Sequence, residues 1–229
     1  SKRKTKVSAQ STAVPSWFSF GLSQLTTDPE TAYSLSQDKL CTSKINELCC
    51  QPERHLMLDD GAIDFDKVFN KRSRPLDVEV GAGFGSWIVR QACENPERNY
   101  VAVELRADRV SQIFSRSVIE GPLDNLCVVG SECGDFLSHR VRNASVSTIY
   151  ANHPEPPTQT YGNDQRDLRR IATGGDEPPH MLNSAAITAM AKCLQPGGRI
   201  VIVSDNRVYA RLLAATLCKV VQSESRLLR

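Results

Sequence analysis

The stretch that decides the fold is Leu76-Asp77-Val78-Glu79-Val80-Gly81-Ala82-Gly83-Phe84-Gly85. Its first half is typical of a buried strand, and the glycines that follow predict a tight turn into a helix. A second apolar run ends on the carboxylate of Glu104, 23 residues after Gly81. Glycines let a backbone approach a ligand, and an acid at the next strand's end accepts hydrogen bonds from a ribose. These two segments therefore predict the nucleoside-binding part of a βαβ unit.

The spacing of the glycines discriminates between ligands. A dinucleotide-binding fingerprint would require a third glycine at position 86, which is Ser86. A phosphate-binding loop would require Gly-Lys-Ser or Gly-Lys-Thr, which does not occur in the sequence. The turn also carries no basic side chain that could bind a phosphate. The pattern present is E-x-G-x-G-x-G, formed by Glu79, Gly81, Gly83 and Gly85. It resembles motif I of the S-adenosylmethionine (SAM) methyltransferases, in which an acid suits a ligand with ammonium and sulfonium charges. A glycine-rich turn is also compatible with a purely structural role, and Glu104 is what favours the functional interpretation.

Composition excludes several classes of protein. The chain has 229 residues, 40% of them hydrophobic and 24% charged, as expected for one globular domain with an extension. A net charge of +2 provides no overall attraction for nucleic acid, so any such attraction is local. We expect no membrane partner, because no run is long enough to span a bilayer, and no metal, because the cysteines and histidines lack metal-ligand spacing. Four of the eight cysteines fall in apolar patterns and are expected to be buried thiols of an intracellular protein, cytoplasmic or nuclear: Cys93, Cys127, Cys193 and Cys218.

Further apolar runs extend the βαβ unit. Strands are predicted at Leu126–Val129, Val146–Tyr150 and Ile200–Ser204, and helices at Ser86–Glu94, Ala107–Ile119, Met181–Leu194 and Val208–Lys219. The alternation predicts an α/β, Rossmann-like, doubly wound and mostly parallel sheet in residues 61–229, preceded by a partly flexible extension at 1–60. Ligands of such sheets bind at the carboxyl ends of the strands. The acids at those ends are Glu104, Glu132, Glu155 and Asp205.

Several segments, in order, resemble one family, the tRNA (guanine-N7)-methyltransferases. They are Glu79–Gly85; Val103–Arg106; His153-Pro154-Glu155-Pro156-Pro157, followed by the basic Gln165–Ile171; and Leu194–Gly198 with Ser204-Asp205. The resemblance covers about residues 61 to 220. It implies a SAM-dependent methyltransferase that binds RNA and methylates guanine N7 in tRNA.

The chain departs from the family pattern at several positions. Glu155 replaces an aspartate, Pro157 stands where an aromatic residue is usual, and Gln159 where a lysine is common. The family's C-terminal Thr-x-x-Glu segment is not in the sequence, so we expect a domain truncated at its C-terminal end.

The resemblance also implies roles for individual residues. Glu155 and Asp205 are the candidate catalytic carboxylates, although Asp205 is equally compatible with capping the following helix. Glu104 is expected to bind the ribose of SAM. Glu132 is expected to bind the adenine of SAM, together with backbone groups near Cys133. The predicted substrate-binding residues are His153, Gln159, Arg166, Arg169 and Arg170, the arginines as phosphate contacts.

Two other functions fit the same residues. One is a SAM methyltransferase that acts on a small molecule or a protein. The other is a degenerate methyltransferase domain that serves as a non-catalytic RNA-binding subunit. The sequence leaves open whether an accessory protein subunit is required.

Overall fold

A computed structural model describes residues 56–69, 73–120, 123–157 and 180–227 of the chain. Most of the predicted N-terminal extension lies outside these ranges, and the division of the chain at residue 60 stays a prediction. Four predicted substrate residues also lie outside them: Gln159, Arg166, Arg169 and Arg170.

The described residues form a five-stranded sheet in which every neighbouring pair is parallel. The strands are β1 (Leu76–Val80), β2 (Asn99–Glu104), β3 (Leu126–Gly130), β4 (Val146–Asn152) and β5 (Leu194–Val203), in the order β3-β2-β1-β4-β5. The chain reverses its direction of winding between β1 and β4. The predicted doubly wound, Rossmann-like α/β fold is confirmed, and its ligand site is expected at this switch point.

Helices cover both faces of the sheet. They are α1 (Phe65–Val68), α2 (Ser86–Glu94), α3 (Ala107–Ile119), α4 (Cys133–His139), α5 (Ser184–Cys193) and α6 (Arg207–Leu227). Apolar residues of α2 and α3 pack on one face, and those of α4, α5 and α6 on the other. Strands β1 and β2 are consequently buried along their whole length, and their acids Asp77, Glu79 and Glu104 are buried with them.

Several local predictions are wrong. Helix α4 was not predicted, and α6 continues beyond Lys219. Gly85, in the left-handed conformation, is the N-cap residue of α2. Strand β5 begins at Leu194 and not at Ile200, and Pro196-Gly197-Gly198 lies inside it, at a register shift between the Val146–Leu194 and Thr148–Arg199 pairs.

The prediction that four cysteines are buried is correct for two of them. Cys127 and Cys193 are buried, but Cys93 and Cys218 are exposed, because each lies on the solvent side of its helix.

Candidate active site

A cavity of about 910 Å³ lies at the carboxyl ends of β1, β2, β3 and β4. Its volume falls in the upper part of the range of about 300–1,000 Å³ that is common for ligand sites. The structure brings most of the predicted residues to its lining: Glu79, Gly81, Gly83, Glu104, Glu132, Cys133, His153 and Glu155. Gly85 and Asp205 are not among the lining residues.

The glycines of the turn have different physical roles. All three have a positive φ, which favours glycine. A Cβ on Gly83 would meet nothing within 4 Å, so this position leaves space at the cavity wall. A Cβ on Gly85 would lie 2.7 Å from Cγ1 of Ile113, so Gly85 allows α3 to pack against the turn. Gly83 therefore borders open space in the cavity, whereas Gly85 is required for the packing of α3.

Glu104 connects the end of β2 to the glycine turn. Its side chain is buried, and its Oε2 accepts a hydrogen bond of 2.8 Å from the backbone N–H of Gly83. Its Oε1 accepts one of 3.0 Å from the N–H of Arg106. An ionised carboxylate offers about four lone-pair directions, so these two bonds fix its orientation and leave capacity for ribose hydroxyls.

Glu79 is a buried acid with an unused oxygen. Only 2% of the residue is exposed, and its Oε1 accepts a hydrogen bond of 2.8 Å from Nδ2 of Asn152. Its Oε2 is buried and has no hydrogen-bond partner among the described residues. Burial raises the pKa of Glu79 to about 7, opposed by the Asn152 hydrogen bond and reinforced by the charge of Glu104.

Sequence reasoning missed Asn152. It ends β4, the strand adjacent to β1 across the switch point, and lines the cavity. A polar residue at the end of an apolar strand next to the glycine turn was the available signal.

Glu132 and Cys133 lie at the start of α4. The carboxylate of Glu132 is exposed and caps this helix, accepting a hydrogen bond of 2.8 Å from the N–H of Asp135. Burial raises the pKa of Cys133 to about 12, with a further contribution from the charge of Glu132. The Cys133 thiol therefore stays protonated and is a poor nucleophile.

The segment after β4 carries the proposed catalytic acid. His153 has a φ of 50°, unusual for a residue other than glycine, and its N–H donates to the carbonyl of Val203 at 2.7 Å. This bond fixes the start of the His153-Pro154-Glu155 segment against β5. Glu155 is exposed at the cavity lining, and after Asp108 and Glu104 its charge contributes to raising the pKa of Arg106.

Asp205 lies outside the cavity lining, with 86% of its side chain exposed. Its Oδ1 is 3.8 Å from Nδ1 of His153. The expected helix cap is provided by Asn206, whose Oδ1 accepts hydrogen bonds from the N–H groups of Val208 and Tyr209. The structure therefore places Asp205 outside the cavity lining but next to His153, which belongs to it.

The cavity also has aromatic and apolar walls that sequence reasoning did not identify. Leu105 and Phe84 line it and are 67% and 51% exposed. The Arg109 guanidinium lies 5.1 Å from the centre of the Phe84 ring, and Trp87 packs on Tyr150 with ring centroids 4.6 Å apart. Exposed apolar surface beside buried carboxylates suits a flat, partly polar ligand.

Neither a membrane-spanning helix nor a metal-binding cluster occurs in the described residues. No helix in them is long and apolar enough to cross a membrane. No group of three or more His, Cys, Asp or Glu side chains in the same ranges is arranged to hold a metal ion.

Known proteins resemble this chain over most of the described domain. A family model described as "Putative methyltransferase" matches residues 73–228. The "tRNA (guanine-N(7)-)-methyltransferase" of Syntrophotalea carbinolica is 29% identical over 72% of this chain and 64% of its own length. The protein of the same name from Chlamydia trachomatis is 35% identical over 54% of this chain and 60% of its own. The chain thus spans less than two thirds of these relatives.

A solved 16S rRNA methyltransferase, KamB, is 18% identical over 64% of this chain and 58% of its own, with a TM-score of 0.43. So low a score adds nothing to the family assignment. The sequence matches confirm the predicted resemblance. Because the family model covers more than half of its length, the chain belongs to the family of putative methyltransferases, as a divergent member with tRNA (guanine-N7)-methyltransferases among its relatives.

Proposed function

We propose that the protein is a SAM-dependent methyltransferase that methylates guanine N7 in tRNA. The observation that carries this proposal is a buried Glu79 oxygen with no hydrogen-bond partner among the described residues, in the same cavity as the open space at Gly83. An anionic, backbone-lined site of this kind suits a cationic nucleoside better than a nucleotide phosphate.

The cavity residues fit the parts of SAM. Glu79 faces the amino-acid end with its ammonium group, and Gly83 lets the backbone approach the ligand. Glu104 accepts from the ribose hydroxyls, and the exposed Leu105 beside it offers apolar surface to the adenine ring. Glu132 and Cys133, at the start of α4, also line the cavity, and the adenine edge is proposed to bind beside them. When bound, SAM supplies an electrophilic methyl group on sulfur.

The chemistry at guanine requires little from the protein. N7 already carries an in-plane lone pair, so it attacks the methyl group without a general base. Catalysis then depends on alignment and on stabilising the positive charge that develops on the purine. We assign this stabilisation to Glu155 at the cavity lining, and a secondary role to Asp205 through His153.

The tRNA part of the proposal rests on the names of the relatives and on local charge. Arg166, Arg169 and Arg170 are proposed as phosphate contacts, and Gln159 and His153 as substrate contacts. The protein would act inside the cell, where tRNA is found. The nuclear alternative has only the basic segment Ser1–Lys6 in its favour, which lies outside the described residues.

Isotope-labelled methyl transfer tests this function. Protein is incubated with tRNA and SAM carrying a deuterated methyl group, and the nucleosides are analysed by mass spectrometry. The expected product is deuterated 7-methylguanosine. A transcript containing 7-deazaguanine, which lacks the attacking nitrogen, should not be labelled.

The same assay tests a variant of the proposed SAM site and distinguishes the two alternative functions. Glu104→Ala should weaken SAM binding by about 1.5–3 kcal/mol, the contribution of hydrogen bonds to a charged group, and reduce labelling accordingly. Label on a protein or a small molecule instead of tRNA would favour a SAM methyltransferase with that class of substrate. Binding of SAM and tRNA without any transfer would favour the non-catalytic subunit.

A further inference from the structure

Two side chains of the cavity lining have no role in the proposed SAM site. Phe84 belongs to the glycine turn, directly after Gly83, and is 51% exposed. Arg109 belongs to the first turn of α3, and its guanidinium lies 5.1 Å from the centre of the Phe84 ring. The two residues form a shelf, the Phe84–Arg109 shelf, at the cavity lining. It offers an aromatic surface and a positive charge at the same place.

The two arginines of the cavity lining differ in their partners. Arg106 donates two hydrogen bonds to the carboxylate of Asp108, of 3.1 and 2.8 Å, so its charge is matched. The Nε of Arg109 is buried and has no hydrogen-bond partner among the described residues. A partly buried cation with an unsatisfied N–H is unfavourable until an anion lies beside it. The Arg109 guanidinium is therefore suited to an anionic ligand.

The shelf lies beside the place where SAM and guanine are proposed to meet. The carboxylate of Glu104, proposed to bind the ribose, accepts hydrogen bonds from the residue just before Phe84 and from Arg106. Arg109 lies one helical turn after Arg106, and its N–H donates to the Arg106 carbonyl at 3.0 Å. The charge of Glu155, the proposed catalytic acid, also acts on Arg106. The two proposed site acids are thus both close to the end of α3 that carries the shelf.

We propose that the Phe84–Arg109 shelf binds the nucleotide that is to be methylated. The ring of Phe84 stacks on its base, and the guanidinium of Arg109 pairs with its phosphate. A base must leave its stack in RNA before an enzyme can reach it, and an aromatic side chain replaces the lost stacking. One arginine positions one phosphate, so the overall affinity for tRNA still depends on charges outside the cavity. This inference rests on the proposed function, since it adds substrate contacts to the same site.

Phe84→Leu tests the stacking contact. Leucine keeps an apolar side chain and removes the aromatic face, so kcat/KM for tRNA methylation should fall by about 5- to 150-fold, the usual range for one lost base–aromatic contact. Phe84→Tyr keeps the ring and should retain most of the parent's kcat/KM. SAM affinity, measured by calorimetry, should stay at the parent value in both variants, because the ring is proposed to contact the substrate and not the cofactor.

Arg109→Met tests the phosphate contact. Methionine keeps an unbranched apolar stem and removes the charge, so kcat/KM should fall by about 10- to 150-fold, the range for a hydrogen bond to a charged group. The logarithmic salt dependence of tRNA binding should become shallower by about 0.7–0.9. Arg116→Met is the matched control, because Arg116 lies two turns further along α3, is exposed and does not line the cavity. It should keep the parent's kcat/KM and salt dependence.

Nucleotide binding can be measured without methyl transfer. Protein saturated with S-adenosylhomocysteine is titrated with guanosine 5′-monophosphate and with guanosine, and saturation-transfer NMR gives the two Kd values. The parent should bind the monophosphate more tightly than guanosine. Arg109→Met should lose this preference, and Phe84→Leu should bind both ligands more weakly. If Phe84→Leu does not fold, Arg109→Met still decides, because the preference for the monophosphate is assigned to Arg109.

The outcomes separate the shelf from the proposed function. The shelf is overturned if the parent does not bind guanosine 5′-monophosphate, or if Phe84→Leu or Arg109→Met keeps the parent's nucleotide Kd values. It is also overturned if Arg109→Met weakens binding of SAM but not of 5′-methylthioadenosine, which lacks the carboxylate, because Arg109 would then bind the cofactor. If both variants lose nucleotide binding as expected but the parent transfers no methyl group to tRNA, the proposed function fails while the nucleotide site stands.

Discussion

At the scale of single residues, four carboxylates surround the cavity in two kinds of environment. Glu79 and Glu104 are buried and held by hydrogen bonds, and Glu132 and Glu155 are exposed. Buried, oriented groups bind a ligand in one geometry, because their surroundings fix their rotamers. Glu132 is nevertheless held in place as the cap of α4, whereas Glu155 lies exposed in the segment after β4. These environments support the proposal that Glu79, Glu104 and Glu132 bind SAM and that Glu155 acts on guanine.

Glu155→Gln should reduce methyl transfer and leave SAM binding unchanged. The carboxylate is proposed to act on charge that develops only in the transition state, so kcat should fall by about 10- to 100-fold. Single-turnover methylation and calorimetry with SAM measure the two effects. Asp205→Asn is the matched control and should show the smaller loss, since Asp205 lies outside the cavity lining. Equal losses of turnover and SAM affinity in Glu155→Gln would make Glu155 a cofactor ligand instead.

At the scale of elements, the turn between β1 and α2 has two functions within a few residues. Its middle, at Gly83, is held by the Glu104 carboxylate and borders open space. Its end, at Gly85, is pressed against Ile113 of α3. The same residue type is therefore required at one position for ligand access and at the other for helix packing.

Alanine at these two glycines should separate binding from stability. Both have a positive φ, so either change should cost about 1–2 kcal/mol of backbone strain. Gly85→Ala should cost about 1–3 kcal/mol more, because its Cβ would overlap with Ile113. Urea unfolding should thus show the larger loss for Gly85→Ala. Calorimetry should show weaker SAM binding in the folded Gly83→Ala protein; unchanged affinity there would remove Gly83 from the site.

At the scale of the whole molecule, the net charge is small and charged side chains form local clusters. The net charge is +2, and the described cavity carries four carboxylates against two arginines, Arg106 and Arg109. An RNA backbone is not attracted to such a surface overall. The proposed affinity for tRNA must therefore come from basic clusters elsewhere, of which the sequence offers Arg166–Arg170 and Lys2–Lys6.

Neutralising Arg166, Arg169 and Arg170 together should weaken tRNA binding and flatten its salt dependence. Each lost phosphate contact removes about 0.7–0.9 from the slope of log K against log salt. Filter binding over a salt series measures this slope. SAM affinity serves as the control and should not change. A triple variant with the parent slope would remove the main local support for tRNA as substrate.

The residues around the glycine turn show which parts of the candidate site could be predicted from the sequence. The strand, the turn, Glu79 and Glu104 were predicted from spacing, because each depends on a few neighbouring residues. Helix α4 was missed. Its N-cap is Glu132, and this residue can be recognised as a cap only when its position directly after β3 is known. The role of Asn152 was missed because its partner, Glu79, lies on another strand.

The sequence by itself determined the order of strands and helices, the family and the acids at the strand ends, since periodicity and spacing are local properties of the chain. Only the tertiary structure decided which acids are buried, which glycine faces the cavity and that Asp205 lies outside its lining. Burial and hydrogen-bond partners depend on residues brought together from distant positions. The strongest case is Glu79: its pKa is raised to about 7 chiefly because it is buried between β2 and β4, which come from distant parts of the sequence.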